Sequence, residues 1–415
     1  MPQLRFIHAA DLHLDTPFRG LKEVDEEIAT RLRDATFTAF DNLIRFAIQE
    51  EIDFLLVAGD VYEQSERSLR AQLRFRDGLA RLARAGINTY VVHGNHDPLD
   101  GWVSRIEFPE EVTIFSGDRV SSVSYSRDGV ALARIHGISY PSMPLPKDFG
   151  REFRRSGEEP FQVGLFHCSV GSDTGHEPYA PRTVEELREC GLDYWALGHI
   201  HTREILCSDG PFVAYSGNLQ GRHIREPGPR GAMLVETDGA RVVTNKFLEF
   251  QAVRWEEIRT DIAAMDSVDD LLERIQEDLE RCREDAEDCA LVVRVHLAGR
   301  GPLHPEIARA LPDLLESLRE DQAVGERFLW IERLVDCSRP DLNLEERAGS
   351  EDFVGSVLRL GKDLRTEPER LRSWLSDLWD HRRAGRVLSD LSEDELRELL
   401  DEAIEYTAER LVEQE

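Results

Sequence analysis

Lysine is scarce in this chain of 415 residues, and cysteine occurs only as six scattered residues. Four of the 51 basic residues are lysine, whereas aspartate and glutamate together number 81, so the formal net charge is −30. Tight unaided binding of nucleic acid depends on neutralising phosphates, and this charge disfavours it. The cysteines include no Cys-x-x-Cys pair, which argues against a disulfide framework and against a structural zinc site, and which fits a reducing compartment.

Long apolar runs are absent as well. No stretch of about 18 apolar residues occurs, so we expect no membrane-spanning segment. The first residues enter a strand-like segment without a basic region followed by an apolar one, which disfavours a secretory signal. Apolar residues make up 41% of the chain and charged residues 32%, a composition typical of globular proteins. We therefore expect a cytoplasmic protein with two or three domains.

Residues 1–250 are predicted to alternate between strands and helices. Two amphipathic segments, Asp25–Glu50 and Ser68–Ala85, carry apolar residues at helical spacing. Alternating strands and helices indicate an α/β core, here with mixed sheets. The short apolar runs that predict buried strands are Phe6–Ala10, Phe54–Ala58, Asn88–Val92, Val112–Phe115, Val130–Ile135, Val163–Phe166 and Tyr194–Leu197.

The pattern changes after Phe250. Residues 251–340 predict a small α+β capping domain, and residues 341–415 predict an acidic helical region whose apolar stripe could contact a partner helix. The predicted strands of the cap lie near 252–259, 289–298 and 327–335, and its helices near 266–285 and 305–320. The C-terminal helices are predicted at 351–363, 368–381 and 393–412. The chain is thus expected to contain three domains.

Polar residues directly follow five of the predicted strands. The carboxyl ends of strands in an open α/β sheet lie along one edge, so these side chains are expected to converge in one crevice. Each motif is weak by itself, because an isolated histidine is usually a core or surface residue. Together they form a strong set: Asp11, His13, Asp60, Asn95, His96, Asp97, His167, His199 and His201.

The mixture of side chains indicates what is bound. Imidazole, carboxylate and amide oxygen together suit manganese, iron or zinc. Seven ligands are too many for one tetrahedral ion but fit two ions that share a bridging carboxylate. The seven are Asp11, His13, Asp60, Asn95, His167, His199 and His201. Two ions about 4 Å apart can hold the attacking and leaving oxygens of a phosphoryl displacement and generate hydroxide near neutral pH. The residues therefore predict a metal-dependent phosphoesterase.

Three segments resemble a known family: Phe6–Leu21, Asp193–His201 and Tyr215–Arg225. They are similar to the calcineurin-like metallophosphoesterases and, more narrowly, to the SbcD-type DNA-repair exonucleases and their YhaO-like branch. The resemblance covers residues 5–250. It implies a four-layer sandwich of two mixed β-sheets flanked by helices, with the small α+β cap and the helical C-terminal region beyond it.

The resemblance also implies a role for each site residue. One ion would be held by Asp11, His13 and His201, and the other by Asn95, His167 and His199. Asp60 would bridge the two ions. His96 would lie outside both and donate a proton to the leaving oxygen or stabilise charge on the phosphoryl group. Asp97 could orient that imidazole or have a plain structural role, and Asp15 could support a ligand histidine.

Four further residues are candidates for substrate or supporting contacts. Some nuclease relatives have a histidine three residues after the bridging aspartate, where this chain has Glu63. An acidic group there could accept a hydrogen bond from His96, or it could weaken the approach of a phosphate. His176 lies on a loop after His167 and could contact substrate. Arg222 and His223 could contact a phosphate or sugar, or could simply be solvated.

The resemblance implies a manganese-dependent DNA exonuclease or endonuclease in DNA repair. It further implies a homodimer that acts beside an SMC-like ATPase of the SbcC or YhaN type. Two alternatives stay open. The chain could be a phosphatase or phosphodiesterase for nucleotides or other small phosphoesters, or it could serve chiefly as a docking scaffold of an SMC-like complex.

Overall fold

The computed structural model forms two compact units. Unit 1 comprises residues 1–257, 281–294 and 321–332, and unit 2 comprises residues 258–280, 295–320 and 333–415. The structure describes residues 3–16, 26–63, 68–100, 106–142, 149–171, 179–263, 265–286, 289–320, 325, 327–379, 381 and 392–412. The division into domains 1–250, 251–340 and 341–415 stays a prediction.

Unit 1 contains two six-stranded mixed sheets. The first is built from β1 (Leu4–Ala9), β2 (Phe54–Ala58), β3 (Asn88–Val92), β4 (Val112–Ile114), β11 (Gly231–Thr237) and β12 (Val242–Glu249). Its order is β12-β11-β1-β2-β3-β4, in which β1 to β4 are parallel and β11 and β12 are antiparallel to their neighbours. Three of the strands predicted from apolar runs, β1, β2 and β3, thus lie inside this sheet and not at its edges.

The second sheet supplies the other side of the site. It is built from β5 (Ser121–Arg127), β6 (Val130–Gly137), β7 (Phe161–His167), β8 (Tyr194–Gly198), β9 (Glu204–Cys207) and β10 (Phe212–Tyr215). Its order is β5-β6-β7-β8-β10-β9, with β6, β7, β8 and β10 parallel. Among the described residues of unit 1, three helices accompany the sheets: α1 (Glu26–Gln49), α2 (Leu69–Arg84) and α3 (Val184–Glu189).

The two sheets pack face to face through aromatic side chains. Phe6 of the first sheet stacks on Phe54 at 4.8 Å between ring centroids and meets Tyr194 of the second sheet edge-on at 5.3 Å. Helices α1 and α2 cover the outer face of the first sheet, and Leu187 of α3 joins the cluster on the outer face of the second, which includes Trp195. The predicted four-layer α/β sandwich is confirmed.

A third sheet follows in the chain, with the order β13-β14-β15. Its strands are β13 (Val253–Asp261), β14 (Ala290–Gly301) and β15 (Leu329–Pro340), and they alternate with α4 (Val268–Asp285) and α5 (His304–Glu320) as predicted. The later helices are α6 (Leu344–Ala348), α7 (Phe353–Thr366), α8 (Pro368–Trp374), α9 (Ser376–Trp379) and α10 (Glu393–Val412).

The C-terminal helices differ from the prediction in two places, and the first is α6, which precedes the three predicted ranges. The single helix predicted at 368–381 is wrong, because the chain leaves helical geometry at Leu375 and forms two short helices instead. The start of α10 is as predicted: Ser392 Oγ accepts a hydrogen bond from the Glu395 amide at 3.3 Å. In the described part of the chain, no helix is both long and apolar enough to cross a membrane.

Candidate metal centre

The carboxyl ends of five strands meet at one edge of unit 1. Residues after β1, β2 and β3 face residues at the ends of β7 and β8, as expected when parallel strands of two packed sheets end together. All seven predicted ligands lie at this edge: Asp11, His13, Asp60, Asn95, His167, His199 and His201.

His13, His201 and Asp11 form one cluster, in which one ligand atom of each lies within 4.8 Å of the others. His13 Nε2 is 3.2 Å from His201 Nε2. The Nδ1 atom of His201 is 2.7 Å from Glu226 Oε1, and that of His13 is 3.3 Å from Glu63 Oε2. The Nδ1 proton of His201 is directed at Glu226, and a carboxylate also lies near His13 Nδ1, so a proton on each Nδ1 leaves the two Nε2 lone pairs facing each other. A cation between them would relieve that repulsion, so these side chains fit a metal ion.

His167, Asp60 and Asn95 form a second group of the same kind. His167 Nδ1 donates to the carbonyl oxygen of Ala58 at 2.9 Å, so its Nε2 carries a lone pair. That Nε2 lies 2.9 Å from Asn95 Oδ1 and 3.4 Å from Asp60 Oδ2. Three acceptor atoms therefore converge, as a cation site requires. Asp60 Oδ2 is also 3.8 Å from His13 Nε2, which places Asp60 between the two groups, where a bridging ligand would lie.

Two carboxylates are buried at the centre of the site. Asp11 and Asp60 are each about 1% exposed and, with His167, form a cluster of ligand atoms within 4.8 Å of one another. Burial raises the pKa of Asp60 to about 7. Burial, followed by the charge of Asp60, raises the pKa of Asp11 well above its usual value. Burial likewise lowers the pKa of His167 to about 4 and that of His13 below its usual value. Neutral imidazoles can bind a metal ion directly, and the two crowded carboxyl groups would give up any bound proton when a cation binds between them.

The backbone at these positions is held in an uncommon conformation. Asp11, His13, Asp60 and His199 have φ angles of 51°, 42°, 50° and 102°. Such left-handed residues are strained unless the surrounding structure holds them, and they cluster at functional sites. Here the His199 amide donates to both carboxylate oxygens of Asp11 at 3.1 Å. The left-handed turn at His199 therefore directs its backbone amide at Asp11, and this amide holds the Asp11 carboxylate in place.

Gly94 permits the close approach of the two groups. A Cβ atom at this position would lie 2.8 Å from both Cε1 and Nε2 of His167 and would also collide with Asp60 Oδ1. Any side chain larger than hydrogen would therefore occupy the space in which the ligands converge.

His96 lies at the open side of the site, where its side chain is 42% exposed. Its Nδ1 is 2.7 Å from Glu63 Oε1. That hydrogen bond raises the pKa of His96 to about 9. Burial raises the pKa of Glu63, but the hydrogen bonds from His13 and His96 outweigh it and hold the pKa below its usual range. Glu63 thus occupies the position of an orienting acceptor, one of the two possibilities that the sequence left open.

For Asp97 the structure supports the plain structural role that the sequence left open, and for Asp15 the suggested contact with a ligand histidine is corrected. The Asp97 carboxylate accepts hydrogen bonds from His93 Nδ1 at 2.8 Å and from the amides of Val61 and Gly94, so it ties together the loops that carry ligands, while Glu63 takes the place beside His96. Asp15 pairs with Ser68 and Arg70 rather than with a ligand histidine. A left-handed turn at Asp15, with φ of 66°, carries its side chain toward the start of α2.

Of the three remaining candidates, only Arg222 and His223 belong to the described residues. His176 lies outside the described residues. Arg222 is largely buried, with Nη1 3.6 Å from Glu63 Oε2 and Nη2 3.4 Å from Glu226 Oε1, and His223 Nε2 is 3.5 Å from Glu226 Oε1. Both basic residues therefore face carboxylates behind the ligands.

The sequence reasoning missed one functional residue, Glu226. Its Oε1 is 2.7 Å from His201 Nδ1, and its Oε2 accepts from the Arg222 amide at 2.8 Å and from Asn218 Nδ2 at 3.0 Å. It is buried, and burial would raise its pKa, but the hydrogen bond from His201 and the charge of Arg222 bring the pKa below its usual range. An acidic residue one position after the segment Tyr215–Arg225 was the available signal.

Comparison with known proteins gives the following matches. Residues 4–203 match the family described as calcineurin-like phosphoesterase, and residues 255–339 match the one described as metallophosphoesterase YhaO, middle domain. A Bacillus subtilis (strain 168) protein named uncharacterized metallophosphoesterase YhaO is 35% identical over 405 residues, which cover 97% of each chain.

Two archaeal relatives are more distant. The protein named DNA double-strand break repair protein Mre11 from Methanopyrus kandleri is 26% identical over 279 residues, covering 60% of this chain and 57% of that one. The protein of the same name from Haloferax volcanii is 26% identical over 281 residues, covering 66% of this chain and 58% of that one. The chain thus spans less than two thirds of the length of both.

Proposed function

This chain belongs to the calcineurin-like metallophosphoesterase family, and we propose that the phosphoester it hydrolyses is the backbone of DNA. Membership confirms the resemblance that Asp193–His201 and the other quoted segments carry. Phosphoester hydrolysis with divalent metal ions follows from the family together with the two acceptor clusters. The observation that carries the proposal is that the two clusters have Asp11 in common, that Asp60 lies between their histidines His13 and His167, and that another histidine, His96, stands at their open side.

The two clusters would hold the ions as the sequence predicted. Asp11, His13 and His201 form one set, Asn95, His167 and His199 the other, with Asp60 between them. When bound, two divalent ions would supply hydroxide near neutral pH and neutralise charge on the phosphoryl oxygens. We propose manganese, because imidazole, carboxylate and amide oxygen together suit it.

His96 would act on the leaving oxygen. Its Nδ1 is occupied by Glu63 at 2.7 Å, so Nε2 is the nitrogen that can reach a substrate. With 42% of the side chain exposed, the ring borders both the buried ligands and the solvent from which substrate arrives. A proton held at Nε2 could pass to the departing 3′ or 5′ oxygen, which is a poor leaving group without one.

Similarity to proteins named for double-strand break repair supports DNA over other substrates. A feature of the chain favours an alternative, a phosphodiesterase or phosphatase for nucleotides. The net charge of −30 opposes a long polyanion more strongly than a small one. The two functions use the same ions and the same acid, and they differ only in what reaches the open side of the site.

We further propose that an SMC-like ATPase of the SbcC or YhaN type is the partner, with the chain itself as a homodimer. A partner could supply the affinity for DNA that the acidic chain lacks. The predicted apolar stripe of the C-terminal helices consists of Leu358, Leu360, Leu371, Trp374, Leu375 and Leu378. Of these residues of unit 2, Trp374 and Leu378 expose 61% and 49% of their surface, whereas Leu358 and Leu371 are buried. The exposed pair is where we expect a partner helix to bind. Replacing both by serine should abolish co-purification with the ATPase while leaving nuclease activity intact.

The decisive experiment uses end-labelled single- and double-stranded DNA incubated with manganese, magnesium or chelator. We expect degradation with manganese, none with chelator, and a loss of about 10²–10⁴-fold in His96→Ala. A nucleotide assayed in parallel serves as the competing substrate. Turnover of the nucleotide without any cleavage of DNA, with or without the ATPase, would replace the nuclease by the alternative.

A further inference from the structure

Arg222 is a basic residue held among the carboxylates next to the ligand histidines. Its side chain is only 13% exposed. Its two terminal nitrogens reach different carboxylates, Glu63 Oε2 at 3.6 Å and Glu226 Oε1 at 3.4 Å. A planar guanidinium can address two acceptors at once with fixed geometry. The side chain therefore joins two glutamates that are far apart in the sequence.

Each of these glutamates in turn holds an imidazole of the site. Glu226 accepts from His201 at 2.7 Å, and Glu63 lies 2.7 Å from His96 and 3.3 Å from His13. Outer carboxylates of this kind fix the tautomer and the orientation of a ligand histidine. The orientation of three imidazoles thus depends on two carboxylates that share one cation.

The shared cation is needed because the site is crowded with negative charge. Asp11 and Asp60 are buried within the same unit, and neither Glu63 nor Glu226 is freely exposed. Unpaired carboxylates in such surroundings would repel one another and turn toward solvent, since burying an uncompensated charge is costly. A guanidinium between them keeps both directed at the histidines.

We propose that Arg222 is a positioning residue of the metal site: by pairing with Glu63 and Glu226 it sets the rings of His13, His201 and His96, and it does not contact the phosphoester. The proposal rests on the metal-dependent hydrolysis proposed above. It also assigns the effect to one ion, because His167 of the other group is oriented by the backbone carbonyl of Ala58 at 2.9 Å.

The test is a titration of the metal-free protein with Mn²⁺. Calorimetry and electron paramagnetic resonance measure how much Mn²⁺ binds and how tightly. Four proteins are compared: wild type, Arg222→Gln, Arg222→Lys and the matched control Arg225→Gln. Arg225 lies on the same turn, but its side chain is exposed. We expect Arg222→Gln to weaken one of the two Mn²⁺ sites by about 10–100-fold and to leave the other within about twofold. Arg222→Lys should recover part of this loss, and the control should bind as wild type does.

Circular dichroism and thermal unfolding show whether each variant is folded, and steady-state kinetics with bis(p-nitrophenyl) phosphate separate KM from kcat. A raised KM in Arg222→Gln with wild-type Mn²⁺ affinity would make Arg222 a substrate contact and overturn the proposal. Equal weakening of both sites together with loss of cooperative unfolding would reduce it to a structural residue and overturn the proposal as well.

The outcome is separable from that of the proposed function. A wild-type chain that binds two Mn²⁺ ions and cleaves no DNA would refute the nuclease while leaving the positioning role measurable. A wild-type chain that binds no Mn²⁺ would refute both.

Discussion

Replacing Glu63 tests whether His96 is the acid, because Glu63 is the group that orients it. In Glu63→Gln the amide oxygen can still accept from His96 Nδ1, whose present distance to Oε1 is 2.7 Å, but the negative charge is lost. A hydrogen bond between charged groups is worth about 1.5–3 kcal/mol and a neutral one about 0.5–1.5 kcal/mol. The difference of roughly 1–1.5 kcal/mol corresponds to about a tenfold fall in kcat.

The loss should depend on the leaving group. Cleavage of DNA expels a sugar oxygen that needs a proton, whereas p-nitrophenolate leaves unaided. We therefore expect the fall of about tenfold on DNA and less than about threefold on bis(p-nitrophenyl) phosphate, both measured at saturating manganese. Saturation is required because Glu63 also lies 3.3 Å from His13 Nδ1 and could affect metal affinity.

Glu159→Gln is the matched control, because Glu159 is a buried carboxylate that pairs with Arg134 at 2.7 Å on the second sheet. This variant should cleave both substrates at the wild-type rate per folded molecule. An equal loss on the two substrates in Glu63→Gln would show that Glu63 serves the metals and not the acid. Unchanged cleavage of DNA would refute the reasoning altogether.

Three other substitutions have defined outcomes. Gly94→Ala should lower Mn²⁺ affinity at least tenfold and kcat by about 100-fold, because the new Cβ displaces Asp60 and His167 by up to about 1 Å; calorimetry and DNA cleavage measure this. Asp60→Asn should stabilise the metal-free protein by about 1–2 kcal/mol at pH 8, because it removes one of two crowded buried carboxylates. The same substitution should reduce the stabilisation that Mn²⁺ gives, and thermal unfolding with and without chelator measures both effects. Gly78→Ala should lower the free energy of unfolding by about 1–2 kcal/mol in urea with kcat unchanged, since its Cβ would lie 2.8 Å from Phe40 Cζ and overpacking outweighs the gain in helix propensity.

Gly129→Ala controls for the glycine variants. Gly129 has φ of 76° but no atom within 4 Å of an added Cβ in the described structure, so it should cost stability without affecting metal binding. Wild-type metal affinity in Gly94→Ala would contradict the assigned clash. A metal-free Asp60→Asn protein that unfolds at a lower temperature than wild type would contradict the charge argument. A Gly78→Ala protein that is more stable than wild type would show that the Phe40 ring moves aside, which contradicts the predicted overpacking.

Several of the strands were predictable because their residues are apolar on both faces. Buried parallel strands such as Phe54–Ala58 read as continuous apolar runs, so their type and approximate bounds follow from composition alone. The antiparallel strand Val242–Glu249 was not predicted, since it includes polar and exposed residues such as Thr244 and Lys246. This edge strand becomes recognisable only from its pairing with β11, which runs from the pair Gly231 and Glu249 to the pair Thr237 and Val242.

The metal ligands were predictable for a related reason. Each follows a strand that the sequence itself reveals, and parallel strands end at a common edge, so their convergence required no knowledge of loop conformation. The assignment of the ligands to individual ions remains a prediction, and the acceptor clusters are the observation that supports it.

The supporting residues depended on tertiary structure. Asp97 is adjacent to His96 in the sequence, yet the carboxylate on the His96 ring comes from Glu63, 33 positions earlier. Glu226 reaches His201 from 25 positions away, and Arg222 reaches Glu63 from 159 positions away (222 − 63). Periodicity and strand ends specify which residues arrive at the edge, because they reflect local backbone geometry. Which carboxylate meets which imidazole depends on left-handed turns and on packing between two sheets, and no local pattern encodes those distances.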